Sequence, residues 1–360
     1  MRHVAIGDPQ APIETFRAVL DAHGLLEAGP TGPRVAADAR LVVMGDYFDW
    51  GAPADRDRAA ASGRELLEWL AAHPREQVTL LLGNHDLARI GELAHLGDDA
   101  FRRARAEADA AYLDHRPERT LEEFTSATGL PTWELASRDF STFEAAQRDT
   151  VTRLLREGRL DVAFAPAPDL LLTHAGVTRA QLARLGLPDV EAGKPDATEI
   201  AAHLTQALRD AVAAWSGGPF VIPGLHEPGD ATREGRGMFY HRPEVRHDLG
   251  QVGASARAVP GLSRRFDVAS LPVGLGQAIG HIRDKKCRTL LGVLEPDDVG
   301  EGALHHLQVR GDRVSYARGV PRTFAADAAT MIFLDGGMHH VSPARYEVYD
   351  LVTRAPAERR

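Results

Sequence analysis

Five short blocks of the 360-residue chain pair a glycine with side chains able to hold a cation. They are Gly7-Asp8-Pro9-Gln10, Gly45-Asp46-Tyr47-Phe48-Asp49, Gly83-Asn84-His85-Asp86, Thr173-His174-Ala175-Gly176 and Gly280-His281. Carboxylate, carboxamide and imidazole together form a hard-to-borderline ligand set, suited to Mn, Fe, Zn, Co or Ni rather than to an all-oxygen calcium site. A glycine beside the donor lets the chain turn tightly and bring its backbone close to an ion. Read singly, each block has a plainer explanation. Asp46 and Asp49 could cap a helix starting near Tyr47, Asn84 and Asp86 could be turn residues, and His174 could be a hydrogen-bonded core histidine.

Four of these blocks follow short apolar runs, His3 to Ile6, Leu41 to Met44, Val78 to Leu82 and Leu170 to Thr173, which read as buried strands. Helical periodicity over Ile13 to Ala22 and Ala59 to His73 separates the first three, giving the alternation of an α/β fold. In such folds ligands gather beyond the carboxyl ends of the strands. From about 87 to 159 the chain is rich in Ala, Arg, Glu and Leu, which predicts a helical cap interrupted near Gly129-Leu130-Pro131. A second, irregular insertion is expected over about 178–275, with a helix from Ala197 to Trp215 and little periodicity from Ser216 to Gly261. Strand character returns at Gln277 to Ile282, His305 to Val309, Met331 to Leu334 and Tyr346 to Val352. Without a clear linker, residues 1–360 are expected to form one catalytic domain.

A formal charge of -9 argues against a duplex nucleic-acid surface and favours a small charged partner. Cys287 is the only cysteine, so neither an internal disulfide framework nor a cysteine-ligated metal can be built. The opening apolar run is too short for a signal-peptide core, and no stretch approaches a membrane span. The expectation is a soluble, cytoplasmic protein.

In order and type, the five blocks resemble those of the calcineurin-like metallophosphoesterase superfamily. Its pattern runs Asp-x-His, Gly-Asp-x-x-Asp, Gly-Asn-His-Asp/Glu, a histidine, then Gly-His. Thr173-His174-Ala175-Gly176, the single-histidine Gly280-His281 block and Leu334-Asp335-Gly336-Gly337 are most similar to the branch of PPP-type phosphatases and symmetrical diadenosine tetraphosphatases. The resemblance implies a four-layer αββα sandwich with helical insertions, and a dinuclear hydrolase acting on a phosphate ester or phosphoanhydride. It implies Asp46 bridging two divalent ions, Asp8 and Gln10 on the first, and Asn84, His174 and His281 on the second. A metal-bridging hydroxide would attack phosphorus in line. His85 would protonate the leaving oxygen, and Asp49 would orient His85.

The sequence departs from that pattern twice. Gln10 stands where the family has its first histidine, which weakens and hardens the first site and favours Mn or Mg over tightly held iron. Asp49-Trp50-Gly51 replaces the branch's Asp-Arg-Gly, so the phosphate clamp must come from elsewhere. Arg283 shares a strand face with His281 by period-2 alternation and is the first candidate; Arg242 and Arg89 follow. Trp50 reads either as loop packing or as a stacking platform. These departures also motivate an alternative, a phosphatase-like binding or regulatory protein without turnover. The remaining histidines, among them His226, His241, His247, His305, His306, His339 and His340, have no spacing that specifies a site and are expected mostly at the surface. The expected partner is a small phosphorylated compound or a phosphoprotein.

Overall fold

The computed structural model describes residues 1–30, 32–187, 195–245, 262–293 and 300–359. Two six-stranded mixed sheets form its centre. Their strands, in chain order, are β1 (Arg2–Ile6), β2 (Ala39–Val43), β3 (Val78–Leu81), β4 (Leu160–Asp161), β5 (Ala163–Ala167), β6 (Leu170–Thr173), β7 (Gly276–Ile279), β8 (His305–Arg310), β9 (Arg313–Arg318), β10 (Ala329–Phe333), β11 (Tyr349–Asp350) and β12 (Ala355–Pro356). The first sheet has the order β12-β11-β1-β2-β3-β4, and the second β9-β8-β10-β7-β6-β5. β1 through β4 pair in parallel, as do β6, β7 and β10.

Period-2 alternation sorts the strand residues into layers. Ala5, Val42, Met44 and Leu81 of the first sheet pack with Leu170, Leu172, Ala278 and Ile332 of the second, filling the space between them. The alternate residues Val4, Ile6, Leu41, Val43 and Leu80 face helices α1 (Ile13–Ala22), α2 (Arg56–Ala71) and α6 (Ala145–Arg156). On the other side, Ile279, Met331 and Phe333 meet Cys287 and Leu291 of α9 (Asp284–Leu291), which follows α7 (Arg179–Arg184) and α8 (Ala197–Ala214) in the chain. This is the expected αββα sandwich. Each fully buried aliphatic or aromatic side chain contributes roughly 1.5–3 kcal/mol.

The strand-helix alternation predicted by periodicity is present. In α1, Ile13, Phe16, Val19 and Leu20 form one buried stripe, and Gly24 at φ 62° turns the chain out of the helix. Between the third and sixth strands lie α3 (Asn84–Ile90), α4 (Asp98–Tyr112), α5 (Leu121–Thr128) and α6. Thr120 caps α5, accepting from the Glu123 N–H at 3.2 Å while Glu123 accepts from the Thr120 N–H at 2.8 Å. Leu93, Phe101, Phe124, Leu130, Phe140 and Phe143 give these helices a core of their own.

Some expectations differ from the structure. The strand expected over Gln277 to Ile282 ends at Ile279, because Gly280 and His281 leave the sheet. The expected strand over Tyr346 to Val352 shrinks to β11, since a 3-10 turn at Pro343–Arg345 precedes it and Tyr346 is committed to a hydrogen bond with the Leu334 carbonyl. Strands β5 and β9 and a hairpin pairing Leu26–Gly29 with Gly32–Val35 lie outside the predicted strands. Largely exposed β9 carries little apolar signal. The stretch read as irregular includes two short ladders, His226–Glu227 with Arg236–Gly237 and Arg242–Glu244 with Arg265–Asp267. Residues 188–194 and 246–261 of that second insertion, with His247, lie outside the described residues. Among the described residues no helix is long and apolar enough to cross a membrane.

Candidate metal centre

The candidate donors stand at the carboxyl ends of β1, β2, β3, β6 and β7, where the two sheets abut. Three of them, Asp46 (φ 58°), Asp49 (φ 65°) and His281 (φ 65°), have left-handed backbones, a conformation that costs a non-glycine residue energy and that surrounding contacts must hold. The glycines serve close approach. A Cβ on Gly83 would sit 2.0 Å from Asp46 Oδ1, and one on Gly280 would sit 1.9 Å from Asp8 Oδ1.

Backbone amides clasp the carboxylates. His281 N–H donates to Asp8 Oδ2 at 2.8 Å, and His85 N–H donates to Asp46 Oδ1 at 2.9 Å. Asp86, buried at the start of α3, accepts from Gly83 N–H at 2.8 Å, Asp46 N–H at 2.9 Å and Tyr47 N–H at 3.1 Å. It thereby ties the loop after β2 to the loop after β3. Burial, then the neighbouring Asp46 charge, pushes its pKa up to about 7.

Nitrogen donors converge with these oxygens. His174, fully buried, lies with Nδ1 2.8 Å from the Met44 carbonyl. A carbonyl only accepts, so the proton is on Nδ1 and Nε2 presents a lone pair. That lone pair faces Asn84 Oδ1 at 3.1 Å and Asp46 Oδ2 at 3.5 Å. Electron pairs facing one another at these distances suit a cation between them. His281 Nε2 is buried without a partner, and its ring lies 5.0 Å from that of His174. Donor atoms of Asp46, His174 and His281 all lie within 4.8 Å of one another. Burial, outweighing nearby carboxylates, holds His174 below its ordinary pKa; burial and then Arg242 push His281 well below. Both imidazoles are therefore neutral, as metal binding requires.

The first-ion side is sparser. Asp8 Oδ1 is buried and has no partner. Burial, then Asp335 and Asp46, pushes Asp8 well above the usual carboxylate range, a repulsion that a cation would relieve. Gln10 is half-buried beyond Pro9 and its side chain makes no hydrogen bond among the described residues. The residues present fit a cation well on the second side and less completely on the first.

His85 stands beside this cluster with its ring fixed from one side. Its Nδ1 lies 2.8 Å from Asp49 Oδ2, and its Nε2 is 3.9 Å from Asp46 Oδ2. Burial opposes its charge, but Asp46 and Asp49 outweigh burial and raise its pKa to about 9. Asp49 itself is pushed up by burial, yet Arg89, His85 and Thr142 hold it below its ordinary value.

The arginines separate by position. Arg89, an expected clamp candidate, is 0% exposed and paired with Asp49 at 2.7 Å, so it anchors the His85 partner and cannot meet substrate. Arg283 follows the left-handed His281, where strand alternation no longer applies. It is exposed, at the N-terminus of α9, with its side chain against Gly337. Arg242 lines a cavity with Asn84, His85 and His281. Trp50, 6% exposed, packs against His339 at 5.1 Å and beneath Arg58, which matches the packing reading. His226, His241 and His305, expected at the surface, are buried; burial lowers the His226 pKa to about 3, which keeps the ring neutral.

Sequence reading passed over Thr142, Glu92, Tyr240 and Arg264, all brought to the centre by the insertions. No local pattern announces them. A calcineurin-like phosphoesterase family model matches residues 1–203, which include every candidate donor from Asp8 through His174. No curated protein matches the chain.

Proposed function

The chain belongs to the calcineurin-like phosphoesterase family, and from that premise we propose that it hydrolyses phosphate esters with two divalent ions, manganese foremost. One observation carries this reading: the lone pairs of Asn84, His174 and His281 and the Asp46 carboxylate converge beside a histidine poised to donate a proton. Asp46, Asn84, His174 and His281 would hold the second ion, and Asp8 and Asp46, with Gln10, the first. When bound, such ions supply the positive charge that acidifies water and offsets charge on phosphoryl oxygens.

The chain's own residues account for the rest. Asp49 fixes the His85 ring, so that the proton on Nε2 is presented towards the cavity. As the P–O ester bond breaks, that proton passes to the leaving oxygen, the hydroxyl of water ends on phosphorus, and His85 regains a proton from solvent, which has taken up the one water gave up. Arg242, inside the cavity, is mostly buried and has no ion-pair partner among the described residues, so its guanidinium is available to phosphoryl oxygens. Arg283 could reach a phosphate only from the solvent side. Within the family, the Thr173-His174-Ala175-Gly176 and Leu334-Asp335-Gly336-Gly337 turns support kinship with the PPP and diadenosine tetraphosphatase branch. Buried Cys287 suits a reducing cytoplasm.

Purified protein with added manganese should hydrolyse an aryl phosphate, and Asp46→Asn or His85→Ala should abolish turnover with folding intact. Full activity in either variant would overturn the mechanism. The unbonded Gln10 side chain favours the other reading, a phosphatase-like binding protein. That reading requires no bound transition metal by elemental analysis and no turnover with Mn, Co, Ni or Mg.

A further inference from the structure

The cavity beside His85 has a volume of about 70 Å³, room for about five waters at roughly 10–15 Å³ each. It therefore admits only a few heavy atoms of a leaving group. Two arginines of its wall, both from the second insertion, differ in their pairing. Arg242 has no ion-pair partner among the described residues, whereas Arg264 is paired with Glu234 and stacked over Tyr240, 5.8 Å from the ring centre. One guanidinium is thus free for an anion and the other is already neutralised.

Opposite chemistry is supplied by Glu92, which follows α3 and is 3% exposed. Its Oε1 accepts from the Tyr240 hydroxyl at 2.7 Å and from Gly229 N–H at 2.9 Å. Its Oε2 is buried and has no partner. A buried carboxyl oxygen without a partner is costly, and such groups ordinarily meet a ligand or water. The surroundings are shaped to hold it: a Cβ on Gly235 would lie 2.3 Å from Glu92 Oε1 and 2.5 Å from the Tyr240 hydroxyl. Asp139 and Glu234 in the same lining are already paired with Arg138 and Arg264, so among the described residues this wall offers no unpaired cation beyond Arg242 for a second phosphate. It suits a hydroxyl, which can donate to a carboxylate or accept from a carboxylic acid.

Building on the phosphoesterase reading, we propose that this cavity selects the phosphomonoester of a small polyol, with Arg242 on the phosphoryl oxygens and Glu92 Oε2 on a hydroxyl one carbon from the ester. Phosphoanhydrides are disfavoured because, among the described residues, no second unpaired cation lines the cavity.

The test is calorimetric binding to the manganese-loaded full chain of two phosphonates that cannot be hydrolysed. These are dihydroxybutylphosphonate, the isostere of glycerol phosphate, and butylphosphonate, which lacks only the hydroxyls. The wild type should bind the diol about tenfold more tightly, the scale of a hydrogen bond to a buried polar group. In Glu92→Gln, which keeps a carbonyl for Tyr240 and Gly229 but replaces Oε2 by an amide nitrogen, that margin should shrink to about threefold or less; melting curves check folding. Equal affinities in the wild type, no binding of either compound, or an unchanged margin in Glu92→Gln would each overturn the proposal. Aryl phosphate hydrolysis without the margin leaves the phosphoesterase reading standing and removes this one. A margin without turnover by any metal does the reverse.

Discussion

Thr142 donates its hydroxyl to Asp49 Oδ1 at 2.6 Å, although 93 residues separate them, and its N–H donates to the same oxygen at 3.0 Å. The other carboxylate oxygen is the one that faces His85. The chain between α4 and α6 thus holds the residue that steadies the Asp49–His85 pair.

Removing that hydroxyl should loosen the acid while sparing the ions. Thr142→Val is expected to lower kcat about tenfold, a fraction of the 10²–10⁴ that general acid catalysis contributes. Manganese content by elemental analysis should be unchanged. Loss of metal with loss of rate would place Thr142 in the ion site instead.

Asp86 accepts three backbone N–H groups from two loops. Asp86→Ala would leave those donors buried without partners, at about 1–3 kcal/mol each. Chemical denaturation should show a loss of at least about 2 kcal/mol, together with weaker manganese binding because Asp46 is released. A variant of unchanged stability would show the clasp to be dispensable.

In metal-free protein, His85 carries a folded pKa raised from 6.5 to about 9. The raised value means that its charged form favours the folded state. That contribution is complete below the unfolded pKa of 6.5 and is lost as pH rises through about 9. The melting-temperature advantage of wild type over His85→Gln should therefore be largest below pH 6.5 and fade towards pH 9. A gap independent of pH would show that His85 is neutral without metal.

Gln10 offers the first ion at best a neutral amide oxygen. Gln10→His would supply an imidazole and should lower the manganese concentration that gives half-maximal activity by about tenfold, the low end of ligand effects on metal affinity. If that concentration does not move, position 10 lies outside the coordination shell.

The outline of the fold was legible because burial writes its period into the sequence. The Ile13 to Ala22 helix and the runs ending at Ile6, Met44, Leu82 and Thr173 bury whole stripes or faces, so apolar spacing marks them. Elements that bury little, such as β9, leave no such mark. Strand alternation misled at Arg283, where His281 breaks the extended backbone to give its N–H to Asp8. That break comes from a contact between residues 273 positions apart.

By itself, the sequence picked out the candidate donors Asp8, Gln10, Asp46, Asn84, His174 and His281 and the candidate acid His85. Each stands next to or near a strand-ending turn, and local chemistry makes such turns recognisable. Only the tertiary structure decided which arginine in the cavity is left without an ion pair among the described residues, which carboxyl oxygen lacks a partner there and what steadies the Asp49–His85 pair. Arg242, Glu92 and Thr142 acquire those places from long-range packing of the insertions, whose sequences constrain helix and turn locally but carry no record of the partner they meet across the cleft.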